Sequence, residues 1–185
     1  MRETVNDKRG LLDLVGSLGA KDLVMVEIGS FAGESAEIFV GSGLVKEVVC
    51  IDPWEFSDQG DGNSYSNIKD AERWFDARAA KAGGRIVKFK GTVDDFVQSK
   101  AFEERRGAVD LVYIDGLHTY EGCAHDIDVT MSVIKPRLAV SGHDYASDFP
   151  HVQGVKKAVN ERFGAPDRTF CDSSWVKYAA GLGCK

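Results

Sequence analysis

Two sets of residues in this chain have the types and the spacing to do chemistry. The first is Glu27, Gly29 and Gly33 together with Asp52. Glu27 falls near the end of the apolar run Leu23-Val24-Met25-Val26-Glu27-Ile28, and Asp52 follows the run Val48-Val49-Cys50-Ile51. An acid at the end of a second strand, after a Gly-rich turn at the end of a first, is placed to accept hydrogen bonds from a ribose diol. A carboxylate at Glu27 can face an ammonium group. On spacing alone the unit suits NAD, FAD or S-adenosylmethionine. The turn Gly29-Ser30-Phe31-Ala32-Gly33 lacks the middle glycine that lets backbone approach a pyrophosphate. S-adenosylmethionine has no phosphate, so this departure favours it.

The second set is Asp115, His118, His143 and Asp144. Two carboxylates with waters suit Mg2+ or Mn2+. A divalent ion there would lower the pKa of an acceptor hydroxyl. His118, with an ordinary pKa of about 6.5, can take the proton. The plain alternatives are that Asp115 and Asp144 bond loop amides and that the two histidines are structural. His125 and His151 have no role assigned.

The elements that must position these residues alternate between strand and helix. Helical spacing of Leu11, Leu12, Leu14, Val15 and Leu18 predicts a first helix over 6–18, with Gly19 as its stop. Strand one and a helix carrying Ala36, Ile38, Phe39 and Val40 follow, then a strand over 47–51. The polar, Gly-rich stretch 53–66 reads as a lid or a disordered loop, with Trp54, Phe56 or Tyr65 available to stack. A helix over 67–82 ends at Gly83-Gly84, and a strand covers 85–89. From Thr92 a helix runs to about 106, with Asp94 as its cap or as a contact to a base. Strand four (109–114) ends in Asp115, and a helix spans 120–134. Strand five (137–141) ends in Gly142-His143-Asp144-Tyr145. A helix over 152–163 and two short strands at 168–171 and 175–179 close the chain. Such alternation predicts an α/β sheet covered on both faces, with ligands outside the carboxyl ends of its strands.

Length and composition set the bounds. The chain has 185 residues, enough for one domain with a sizeable core. A net charge of −6 argues against a nucleic-acid or anionic-membrane surface. No apolar run reaches the roughly 20 residues of a membrane span, and the charged N-terminus does not read as a signal peptide. Cys50, Cys123, Cys171 and Cys184 are far apart, which predicts reduced thiols, no zinc site and a cytoplasmic protein.

Four segments carry a resemblance. Val26-Glu27-Ile28-Gly29-Ser30-Phe31-Ala32-Gly33-Glu34-Ser35, Ile51-Asp52-Pro53-Trp54, Tyr113-Ile114-Asp115-Gly116-Leu117-His118-Thr119-Tyr120-Glu121-Gly122 and Ser141-Gly142-His143-Asp144-Tyr145 resemble class I S-adenosylmethionine-dependent methyltransferases. The Asp-Gly-x-His-x-Tyr segment is similar to the small bacterial O-methyltransferases related to sugar, macrolide and other natural-product enzymes. The resemblance implies a single domain over 1–185. It implies a Rossmann-like, doubly wound, mostly parallel seven-stranded sheet in the order 3-2-1-4-5-7-6, with the last strand antiparallel. It implies cofactor contacts from Glu27, Gly29, Ser30, Phe31, Gly33, Ser35, Asp52, Pro53, Trp54, Thr92, Val93, Asp94 and Asp115. Among these, Glu27, Gly29 and Ser30 would lie at the methionine end, Asp52 at the ribose, and Thr92, Val93 or Asp94 at the adenine. Metal-assisted relatives place carboxylates after strand four and in an acidic pair after strand five. Asp115 and Asp144 match, while His143 stands where the pair's first acid would be.

The expected activity is methyl transfer from S-adenosylmethionine to a hydroxyl of a small molecule, a sugar or natural product, with His118 and Asp115 catalytic. A metal set of Asp115, His143 and Asp144 would hold Mg2+ or Mn2+. The acceptor pocket would come from the 53–66 loop, the 145–151 loop or a second subunit of a homo-oligomer. Two alternatives stay open: a cofactor-binding accessory protein without catalysis, and, with less support, a nicotinamide-dependent oxidoreductase. A nucleic-acid acceptor is disfavoured by the charge and by Asp-Gly-Leu-His after strand four.

Overall fold

The computed structural model describes residues 5–55 and 68–181. Phe56 and Tyr65, the helix start at 67 and Cys184 lie outside the described residues. The strands are β1 (Leu23–Ile28), β2 (Val45–Asp52), β3 (Ile86–Lys90), β4 (Leu111–Ile114), β5 (Ala139–Gly142), β6 (Arg168–Thr169) and β7 (Trp175–Tyr178). They form one sheet in the order β3-β2-β1-β4-β5-β7-β6. β7 runs antiparallel to both its neighbours, and the other pairings are parallel. This is the expected topology, with β1 and β4 flanking the point where the strand order reverses.

Among the described residues, seven α-helices cover the sheet: α1 (Val5–Ser17), α2 (Glu34–Gly41), α3 (Ile68–Lys81), α4 (Val93–Val97), α5 (Lys100–Glu103), α6 (Tyr120–Val129) and α7 (Gln153–Phe163). Strand side chains alternate between two cores, as a pleat of period two requires. Met25, Val48, Cys50, Leu111 and Tyr113 point to one face, where they meet Leu14, Phe39 and Phe75 of α1, α2 and α3. Val26, Ile28, Val49, Ile51, Val112 and Ile114 point to the other, against Phe96, Phe102, Ile127 and Val159.

The register places the site. Ile28 lies level with Ile51 and Ile114, and Ile114 with Gly142. The ladder then runs one residue past the strands. The amide of Gly29 donates to Ile51 O (2.8 Å), that of Asp115 to Ile28 O (2.8 Å) and that of His143 to Ile114 O (3.1 Å). Gly29, Asp115 and His143 therefore stand in one row at the carboxyl edge of the sheet.

Two helices differ from expectation. The helix from Thr92 to about 106 is two short ones, because the Ser99 hydroxyl accepts the Phe102 amide and starts α5 afresh. Its first cap is Thr92, in a reciprocal box with Asp95, so Asp94 is not the cap. The 120–134 helix is α-helical only to Val129; Thr130–Ile134 form a wider π turn, closed by the Lys135 amide on Thr130 O.

Phe39 is fully buried and meets Tyr113 edge to face at 5.1 Å between ring centres. Replacing it by alanine opens a cavity between α2 and β4. Phe39→Ala is expected to lower the unfolding free energy by about 3–5 kcal/mol, measured by urea denaturation.

Candidate functional site

The first half of the site is built around Asp52. Its Oδ2 accepts the Phe31 amide (2.9 Å) and its Oδ1 the Trp54 amide (2.7 Å), so one carboxylate ties the turn after β1 to the exit of β2. Trp54 Nε1 closes the loop by donating to Phe31 O (2.7 Å). The Ser30 amide also bonds this carboxylate, whose two oxygens still have room to accept from a ligand's hydroxyl. Burial pushes the Asp52 carboxyl above its ordinary value, against the bonds from Trp54 and Phe31. Trp54 was expected to be free to stack on a ligand. It is 3% exposed and packs on Phe75 in the core instead. Pro53, between them, is half-buried.

Gly29 sits at φ +86° with its Cα face against β4. A Cβ there would lie 2.2 Å from Asp115 O and 2.6 Å from Gly116 Cα, so only glycine brings the two loops this close. The amides of Gly29, Phe31 and Gly33 are all spent, on Ile51 O, Asp52 and Ser30 O. The turn thus offers no nest of free N–H groups to a pyrophosphate. Glu34 and Glu37 in the first turn of α2 are both paired with Arg78, which also donates to Ala32 O. The spent amides of the turn count against a dinucleotide.

Glu27 was expected to face a ligand's ammonium group. It is fully buried on the α2 face of β1 and engages both oxygens within the protein. Ser35 Oγ donates to Oε1 (2.5 Å) and Cys50 Sγ to Oε2 (3.4 Å). Ser35 is therefore committed to Glu27, and Ser30 is buried beside them. Burial raises the Glu27 carboxyl to about 7, the Ser35 bond working in the opposite sense.

At the adenine end, Thr92 is the helix cap and Val93 is buried in the core. Asp94 Oδ2 pairs with His125 Nε2 at 2.8 Å, bridging α4 to α6. His125 had no expected role. Lying on a different element, its partner could not be read from local spacing.

The second half gathers three of the four expected residues, with one exchange. Asp115, His118 and Asp144 each present one ligand atom, all within 4.8 Å of one another. His118 Nε2 lies 3.2 Å from Asp144 Oδ2 and 3.7 Å from Asp115 Oδ1. His143, expected in this set, stands outside it, its Nδ1 3.3 Å from Asp144 Oδ1. Asp144 holds its place in a left-handed conformation, φ +61°. Burial opposes charge on His118, but its bonds to Asp115 and Asp144 outweigh this and lift it to about 10. His143 goes the same way, to about 9, on its bond to Asp144. Asp144 is held well below the usual carboxylate range by the two imidazoles, despite its burial. In the protein alone His118 thus carries a proton and donates rather than accepts. Two hard oxygens and one imidazole nitrogen are a donor set that fits Mn2+ or Mg2+ completed by water. Gly154 of α7 fixes the loop that carries His118: a Cβ there would lie 2.5 Å from His118 O and 2.4 Å from the Tyr120 amide nitrogen.

Glu27 sets a pH dependence. Its carboxyl ionises above its ordinary 4.5 in the unfolded chain but keeps its proton to about 7 when folded. Folding takes up a proton in that window, so this group's contribution to stability falls as pH rises through it. Glu27→Gln keeps an acceptor for Ser35 and lacks the penalty. Its stability relative to wild type is expected to climb by up to about 3 kcal/mol between pH 5 and pH 8. Urea unfolding across that range checks it; a constant difference would show that Glu27 folds in the ionised form.

Comparison with known proteins follows the same lines. Residues 26–145 match a family described as a methyltransferase domain. An uncharacterized protein of Acanthamoeba polyphaga mimivirus is 23% identical over 151 residues, 82% of this chain and 64% of the relative. The chain therefore spans about two thirds of that relative's length. Among solved structures, an O-methyltransferase from Bacillus cereus in complex with SAH superposes with a TM-score of 0.59 at 17% identity, covering 95% of this chain and 80% of the other. TomG from Streptomyces achromogenes, an O-methyltransferase involved in tomaymycin synthesis and solved with SAM, gives 0.58 at 18%, covering 95% and 78%. A TDP-rhamnose 3'-O-methyltransferase of calicheamicin biosynthesis gives 0.59 at 17%, covering 95% and 81%. At these identities the structural likeness establishes the fold, and the family match establishes membership: the chain belongs to the methyltransferase-domain family.

Proposed function

We infer that the protein transfers the methyl group of S-adenosylmethionine to a hydroxyl of a small molecule, with a divalent cation at Asp115, His118 and Asp144. The observation that carries this is the placement of two unlike half-sites on adjacent strand ends. A carboxylate with room for a ribose diol closes β2, and a carboxylate–imidazole cluster lies past β4 and β5, with Gly29 and Asp115 in contact between them. Two of the named neighbours, TomG and the TDP-rhamnose 3'-O-methyltransferase, act in tomaymycin and calicheamicin biosynthesis, which supports a small polar acceptor.

When bound, the sulfonium supplies an electrophilic methyl group, and a divalent cation supplies Lewis acidity to the acceptor hydroxyl. The chain's part is to align the two. Asp52 would hold the ribose, and the Gly29 turn, packed against Asp115, would carry the sulfur end. The methyl leaves sulfur for the acceptor oxygen in line, and the hydroxyl proton passes to the carboxylate–imidazole cluster or to water. His118 Nε2 faces both carboxylates. That atom can ligate a cation or hold a proton, not both at once. A site rich in carboxylates also suits the positive charge of a sulfonium and repels phosphate.

Calorimetric titration tests the cofactor. S-adenosylhomocysteine is expected to bind, Asp52→Ala to abolish binding, and NAD not to compete. Failure of S-adenosylhomocysteine to bind would overturn the assignment. Mn2+ titration tests the second half-site: Asp144→Ala is expected to lose binding. His118→Ala separates the two roles, because a ligand's loss weakens Mn2+ at least about tenfold, whereas a base's loss leaves it intact.

A further inference from the structure

The loop that carries Asp144 is held from behind. Asp144 is left-handed, and two backbone bonds bracket it. The His143 amide before it donates to Ile114 O on β4 (3.1 Å), and the Tyr145 amide after it donates to Ser173 O (3.1 Å). A residue other than glycine keeps such a conformation only where its surroundings fix it. The first bond belongs to the level row of strand ends. The second comes from the 170–174 turn between β6 and β7, which supplies no side chain to the Asp115, His118 and Asp144 cluster.

That turn is folded around Asp172, a buried carboxylate that spends both oxygens inside it. Oδ1 accepts the Ser174 amide (3.0 Å) and Oδ2 the Ser174 hydroxyl (2.9 Å). With its proton given to Asp172, Ser174 Oγ accepts the hydroxyl of Tyr113 (3.1 Å). Tyr113 is fully buried in β4, two residues before Asp115. The turn closes through the Phe170 amide on Ser174 O (2.8 Å) and the Ser173 amide on Phe170 O (3.1 Å). One side chain thus ties the turn that receives Tyr145 to the strand that delivers Asp115. On the other side, a Cβ on Gly10 would lie 2.1 Å from Asp172 Cγ, so α1 backs directly on the carboxylate. Glycine inside a helix ordinarily costs stability relative to alanine, and this contact is the physical reason for it here. The charge of Asp172 also faces His143.

We propose that Asp172 is a positioning residue for the cation set. It shapes the turn whose Ser173 carbonyl holds the Tyr145 amide, and so keeps Asp144 in the conformation that brings Oδ2 within 3.2 Å of His118 Nε2. It acts only through Asp144. This rests on Asp115, His118 and Asp144 binding a divalent cation.

Native-state amide exchange and Mn2+ titration of the full chain test it, on Gly10→Ala and Asp172→Ala. Both variants are expected to speed exchange at the Tyr145 amide and to weaken Mn2+ binding about tenfold or more. The Gly29 amide, in the same row but bonded to β2, is expected to keep its protection, which reads an intact fold. Gly10→Ala decides where Asp172→Ala does not fold, because alanine favours the helix and the substitution leaves every bond of the turn its donor and acceptor. Asp172→Asn keeps an acceptor for the Ser174 amide and is expected to bind Mn2+ more tightly than Asp172→Ala. Faster Tyr145 exchange with Mn2+ affinity unchanged would overturn the proposal, since the turn would then hold the loop without placing the ligand. Asp172→Asn as weak as Asp172→Ala would also overturn it, assigning the effect to the charge that faces His143. Wild type that binds no Mn2+ would instead overturn the cation reading, and this proposal with it.

Discussion

The amides of Gly29, Asp115 and His143 each bond to the last carbonyl of the neighbouring strand, and the site depends on that level finish. Parallel strands β2, β1, β4 and β5 end in register, so the residues just past them are brought side by side without any loop having to reach. Gly29 makes the contact closest, since a side chain there would collide with Asp115 O. A one-residue slip of β4 would turn Tyr113 and Asp115 to the opposite face. It would also part the Asp52 half of the site from the carboxylate–imidazole half. The two buried cores on either side hold the register.

The electrostatics follow from where those strand ends point. Glu27 and Asp52, the last residue of β2, are buried and raised, their cost offset by hydroxyl and amide donors from the protein itself. Asp115 and Asp144 are compensated by imidazoles instead. The first pair is thus internally satisfied and rigid. The second is held by groups that a cation can replace. This division suits a site in which one ligand must be gripped in one pose and another must change its proton count.

Periodicity made the strands legible, because the alternation of apolar residues is the same physical fact as the two cores; their order was implied by the family resemblance. The acids at the strand ends were legible for the same reason. What escaped were pairings between elements distant in sequence. Trp54 follows Asp52 in a polar stretch, yet Phe75 and the Phe31 carbonyl draw it into the core. Asp94 stands at a helix start, where capping is the local expectation, but His125 on α6 takes it. His143 and His118 approach different oxygens of Asp144, which stands in a left-handed conformation, and His118 also reaches Asp115.

Three residues other than glycine with positive φ, Phe31, Trp54 and Asp144, lie in the three loops that frame the site. Such conformations cost of order 1–3 kcal/mol each and persist only where the surroundings over-determine them. Here the restraint is explicit. Phe31 is fixed at its amide by Asp52 and at its carbonyl by Trp54 Nε1, Trp54 at its amide by Asp52, and Asp144 by two imidazoles. The carboxylates that hold the strained loops are also those assigned to the ribose and the cation. Removing Asp52 or Asp144 therefore takes away a ligand contact and releases a loop together. A loss of binding on its own does not distinguish the two. The conservative amide at each position does, since it keeps the size and one acceptor while discarding the charge.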